Sequence, residues 1–136
     1  MKKIICCLVL VFSFPLYADV VGKKLICIGD REKFRFFGID FYNSEQAQYW
    51  YGQDTGRVFD FYIDYKPLPK RIEFMNSSTS RLLFIDRKNL KAYNDDHKNN
   101  TLRYIGQCEI TEENVGDTIQ NLVTEEYEKQ AEGNKL

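Results

Sequence analysis

Residues 57–66 read RVFDFYIDYK, where Phe59, Phe61, Ile63 and Tyr65 alternate with Asp60, Tyr62, Asp64 and Lys66. Successive side chains of an extended chain point to opposite faces, so a period of two makes this run a half-buried antiparallel strand. Working outward, Ile72 and Phe74 alternate with Arg71 and Glu73, and Leu102, Tyr104, Gly106, Cys108 and Ile110 share one face of LRYIGQCEI. That phase points Cys108 inward. The segment KFRFFGIDF alternates through Phe34 and Phe36, then through Phe37, Ile39 and Phe41. A one-residue slip turns every later side chain to the other face, so a bulge or tight turn is expected near Gly38.

Further strands are read at QAQYWY, RLLFID, LKAY and KLICI. The run Leu82 to Ile85 is apolar in both phases, as a strand covered on two sides would be. Gly29-Asp30, Asn43-Ser44, the segment 52–56, Pro67 with Pro69, and the polar stretches 76–80 and 94–100 supply turn chemistry between these runs. Short strands at this spacing specify a mainly β domain, an antiparallel barrel or sandwich of about eight strands. After Ile110 the period lengthens. Val115, Ile119, Leu122, Val123 and Tyr127 fall on one helical face, so an amphipathic helix is expected over 113–131, with a frayed tail over 132–136.

The first 18 residues have the parts of a secretory signal peptide: Lys2 and Lys3, an apolar run from Ile4 to Phe14, then Pro15 and a small residue at Ala18. The apolar run is shorter than the roughly 20 residues a spanning helix needs, so cleavage after Ala18 is expected to leave no membrane anchor. Cys6 and Cys7 lie within the run and leave with it, which also argues against a lipid anchor. Cleavage would remove two of the 19 basic residues and none of the 20 acidic ones, giving a net charge of about −3. That balance argues against nucleic acid and anionic lipid as partners. One domain is expected over 19–112, completed by the helix.

Cys27 and Cys108 then remain, an even number in a chain routed to an oxidising compartment, and one disulfide is the economical reading. Closing a loop of about 80 residues lowers the unfolded chain's entropy by the equivalent of about 4 to 5 kcal/mol. Neither cysteine belongs to a CxxC pair, so the bond reads as structural rather than redox-catalytic.

Catalytic and metal-binding patterns are sparse. His97 could join Asp95 and Asp96 at a metal, but the stretch 94–100 equally has the composition of a solvated turn and lacks the calcium-loop order. Nucleophilic catalysis would need this same histidine beside a free nucleophile. Asp60 and Asp64 share one strand face at about 13 Å, wider than the roughly 5 to 10 Å of glycosidase carboxylates. No cofactor is expected. The aromatic load is more suggestive: Trp50 and Tyr62 lie out of phase with their apolar neighbours and are candidate binding residues. Ser78 and Arg81, in the polar stretch 77–81, are a second candidate pair.

The early strand cysteine in LICIGD, the late one in YIGQCEI and the strand start IDRKNL resemble a group of small secreted bacterial β proteins of unassigned function. The layout also weakly resembles the C-type lysozyme inhibitors. That resemblance implies an eight-stranded barrel held by a disulfide between early and late strands, with a Ser-Gly-x-(Lys/Arg)-Tyr loop that enters the lysozyme cleft. The nearest match here, Ser78 to Leu82 (STSRL), has the serine and the basic residue but neither the glycine nor the tyrosine. A helix after the last strand is the order of elements in a calycin-like barrel. The leading expectation is a periplasmic or secreted, non-enzymatic binding domain for a small apolar ligand or a protein. The alternative is a periplasmic inhibitor of a cell-wall hydrolase such as lysozyme.

Overall fold

The computed structural model describes residues 20–30, 35–75 and 81–134. Eight strands follow one another: β1 Lys24–Ile28, β2 Phe36–Asp40, β3 Gln46–Gly52, β4 Val58–Pro67, β5 Arg71–Met75, β6 Arg81–Asp86, β7 Lys91–Asp96 and β8 Thr101–Thr111. Each pairs antiparallel with the next, and β8 pairs with β1, so the sheet is a closed up-and-down barrel. Helix α1, Val115–Gly133, follows the last strand. The expectation of a barrel or sandwich thus resolves to the barrel, with the Cys27–Cys108 disulfide in place.

The inner phase of each strand fills the barrel. Leu25 and Cys27 of β1, Phe37 and Ile39 of β2, Ala47, Tyr65, Ile72, Phe74, Ile85, Ala92 and Cys108 form one buried cluster with Phe41. The rings of Phe41, Tyr65 and Phe74 pack at centroid separations of 5.0 to 6.4 Å, within the range where aromatic pairs attract. At this level the interior is a packed core of side chains, as an eight-stranded barrel permits.

The bulge expected near Gly38 is absent. Lys24 stands opposite Asp40 and Ile28 opposite Phe36 with no slip between them, and Phe37 to Asp40 pair as regularly with β3. The run is apolar in both phases because both faces of β2 are covered. Phe37 and Ile39 face the core, while Phe36 lies outside with Val115, Ile119 and Val123 of α1. Phe34 lies outside the described residues. The real irregularity is in β8. Ala92 pairs with Gly106 but Tyr93 with Tyr104, so Ile105 is an extra residue at a β-bulge. Cys108 faces inward as expected, whereas beyond the bulge Leu102 is 62 % exposed and Tyr104 is also at the surface.

The two-sided burial read into Leu82 to Ile85 also takes a different form. Ile85 and Leu83 face the core, and Phe84 lies on the outer side of the sheet, where among the described residues no helix covers it. It is covered by the Tyr93 ring at 5.2 Å and by the Arg71 guanidinium at 4.6 Å from its centroid.

Helix α1 starts two residues later than expected and ends two later, at Gly133. Asn114 caps it, its Oδ1 accepting from the Asp117 N–H at 3.0 Å, with the Asp117 carboxylate in the first turn. Residues 135 and 136 of the expected frayed tail lie outside the described residues. The helix lies across the outer face of β1 to β4. It fits because three glycines leave room. A Cβ at Gly38 would strike Val115, one at Gly52 would strike Val123, and one at Gly116 would lie 2.8 Å from the Trp50 ring.

Replacement of Gly52 by Val is therefore expected to destabilise the fold by about 1 to 3 kcal/mol, the usual cost of overpacking. Gly133→Ala, whose Cβ meets nothing within 4 Å, should cost nothing. Denaturant midpoints followed through the Trp50 emission would check both.

Candidate functional site

One end of the barrel is packed less completely than the other. The inner face of β3 and β4 carries a chain of rings: Phe37 to Tyr49 at 5.9 Å, Tyr49 to Phe61 at 5.2 Å, Phe61 to Tyr51 at 6.0 Å, and Tyr51 to Phe59 at 5.7 Å. The chain begins in the core, where Phe37 is buried, and ends at the surface, where Phe61 is 42 % and Phe59 39 % exposed. Among the described residues β5 pairs with β4 from Pro67–Ile72 to Asp64–Met75, while the first half of β4 pairs with β3. Large apolar side chains in the core phase are left facing water at the barrel mouth.

The tyrosines give this platform a polar margin. Burial, reinforced by Tyr51 beside it, pushes the Tyr49 phenol above the ordinary tyrosine range. It remains neutral and apolar in character throughout the pH range of ordinary binding.

The sequence-predicted candidates are scattered. Trp50 is on the opposite face of β3, half-buried against Val115, Ile119 and Val123, with its ring over Gly116. Its departure from the apolar phase is explained by helix docking. Tyr62 is on the outer face of β4, 57 % exposed, and meets the exposed Tyr42 edge to face at 6.0 Å. Ser78 lies outside the described residues, and Arg81 is described by its backbone, which opens β6 opposite Asp96. Cys27 and Cys108 face one another across the β1–β8 seam.

The acidic and histidine candidates have structural occupations. Asp96 accepts hydrogen bonds from the Lys98 and Asn99 backbone N–H groups, and Asn100 adopts a left-handed φ of 51°. The preceding hairpin does the same. Asp86 accepts from Lys88 and Asn89, and Leu90 takes φ 57°. The stretches DRKNL and DHKNN are thus one turn used twice. His97 sits in the second copy, 3.8 Å from the Asp95 carboxylate and exposed. Asp60 accepts from the Gln48 amide at 2.7 Å on the outer face. Arg87 donates to the Leu68 carbonyl. Among the described residues no three His, Cys, Asp or Glu side chains converge on a point that could hold a metal.

Two hollows lie elsewhere on the molecule. A space of about 20 Å³ between α1 and the ends of β2 and β3, beside Phe36, Gly52 and Val123, has room for about one water. A depression of about 620 Å³ beside Glu45, Asp64, Lys66 and Met75 opens broadly on the outer surface.

No family model, curated protein or solved structure matches this chain.

Because the folded Tyr49 holds its proton to higher pH than the unfolded chain, its contribution to stability is complete below about pH 10 and is lost as pH rises above that value. Tyr49→Phe should accordingly flatten the alkaline limb of the stability curve. Urea midpoints measured between neutral pH and pH ~11 would show it.

Proposed function

We propose that the chain is an exported, non-enzymatic binding domain whose ligand site is the open aromatic end of the barrel. The observation that carries this reading is the exposure of Phe59 and Phe61 in the core-facing phase of β4, joined ring to ring with Tyr51 and Tyr49. Leaving two phenylalanine faces in water forgoes roughly 25 cal/mol for each Å² of apolar area exposed, and a ligand that covers them recovers that stabilisation. The mouth of a barrel is a usual place for such a site. The packed core beneath favours a ligand seated at the mouth over one enclosed along the axis.

Export to the periplasm or medium is supported by the Lys2-Lys3, apolar run and Ala18 pattern together with the Cys27–Cys108 bond, a kind of bond that persists mainly in oxidising compartments. No helix among the described residues is long and apolar enough to cross a membrane.

A second reading, inhibition of a cell-wall hydrolase, draws support from the combination of eight strands with a disulfide between the first and the last. Met75 of β5 and Arg81 of β6 stand at the same end of the barrel as Phe59.

Fluorescence titration with the uncharged dye phenylnaphthylamine tests the first reading. The intact domain should bind it, and Phe61→Ala or Phe59→Ala should weaken binding at least about tenfold, a loss of about 1.4 kcal/mol. Equal binding by the variants would refute the site. For the second reading, the purified domain should inhibit lysozyme at micromolar concentration and lose that inhibition on Arg81→Ala.

A further inference from the structure

The wall that faces the aromatic platform is polar, and the strand register says which residues compose it. In the closed order of eight strands, β4 and β8 are four steps apart in either direction, on opposite sides of the barrel. Ala92 and Leu83 belong to the core side of β7 and β6. Asn94 pairs with Leu83, lies two residues beyond Ala92, and so shares that side. Arg103 is the partner of Asn94 on β8. The bulge at Ile105 is what brings Arg103, rather than Leu102, to the inner face.

The two walls also meet at one level. From Phe59 the pairing runs through Tyr51, Phe37 and Cys27 to Cys108, and from Tyr65 it runs through Phe74, Leu83 and Asn94 to Arg103. Tilt carries these two paths in opposite directions along the barrel axis. The six residues from Phe59 to Tyr65 on β4 and the five from Arg103 to Cys108 on β8 compensate for that tilt. Phe59 and Arg103 therefore stand across the mouth from one another.

Arg103 is exposed, and among the described residues no carboxylate lies within ion-pair distance of it. Asp96, two residues beyond Asn94 on the same wall, engages its carboxylate with the turn N–H groups of Lys98 and Asn99 and with the Asn99 amide. The mouth thus offers a hydrophobic aromatic wall and, opposite it, a guanidinium with an amide beside it. A guanidinium presents a planar fork of donors suited to an oxyanion.

We infer that the ligand class of this site is an anionic amphiphile, whose apolar body lies on Tyr51, Phe59 and Phe61 and whose acidic group is bound by Arg103 and Asn94. The inference rests on the aromatic-mouth reading and adds charge selectivity to it. Anilinonaphthalene sulfonate and phenylnaphthylamine share one aromatic body and differ by the sulfonate, so the pair separates the two claims. The intact domain should bind the sulfonate dye more tightly. Arg103→Gln should weaken that dye about tenfold while leaving phenylnaphthylamine within about twofold, and Arg103→Lys should restore part of the loss. If Arg103→Gln leaves both dyes unchanged, the charge selectivity is overturned and the aromatic site stands. If the intact domain binds neither dye, both fall.

Discussion

The seam between β1 and β8 is the constraint on which the rest of the molecule depends. These are the first and last strands, and their central residues, Cys27 and Cys108, are 81 positions apart and directly opposite in the ladder. Closing the sheet there removes both of its edges, each of which would otherwise present unpaired N–H and C=O groups. It also commits the chain to a costly long-range contact, and the disulfide offsets about 4 to 5 kcal/mol of that cost by restricting the unfolded ensemble. Local features adapt to the seam. A Cβ at Gly106 would lie 2.9 Å from the Ile28 carbonyl, so only a residue without one lets β8 approach β1 there. Leu90 accepts a left-handed φ while its carbonyl takes the Cys108 N–H at 2.9 Å, tying the β6–β7 turn to the bond.

With the sheet closed, the helix determines how the two ends and two sides of the barrel differ. It covers the outer face of β1 to β4, and for that reason Phe36, Ile26, Trp50 and Val58 are apolar in the phase that would otherwise meet water. Among the described residues the opposite side has no such cover. There Phe84, Tyr93 and Tyr104 form a row across three strands, with rings 5.2 and 5.9 Å apart, protected by one another and by Arg71. The same unevenness operates along the axis. Phe41, Tyr65 and Phe74 fill one end, while Phe59 and Phe61 are exposed at the other. The proposed binding site lies at that mouth because those rings are exposed there.

Most of the architecture was legible in the linear pattern. Strict alternation over residues 57–66, inward phasing of Cys27 and Cys108, and the switch to a helical period after Ile110 each reflect a local rule acting on neighbouring residues. The misreadings share a cause. Gly38 looked like a bulge and LRYIGQCEI like one unbroken face. In each case the deciding neighbour was distant: α1 for the first, and for the second the β7 register that makes room for Ile105.

What the sequence determined by itself was the class of fold, its number of strands, the clasp between its ends and the amphipathic helix, because periodicity, turn residues and cysteine count are properties of short stretches of chain. What only the tertiary structure decided was which apolar residues are spent on packing and which remain available. Phe59 and Phe61 have the same alternating pattern as Ile63 and Tyr65, and only their place along the barrel axis separates exposed rings from core. Arg103 carried no signal at all in the sequence. Its place opposite those rings comes from a bulge and from barrel closure, which depend on strands that the linear order keeps far apart.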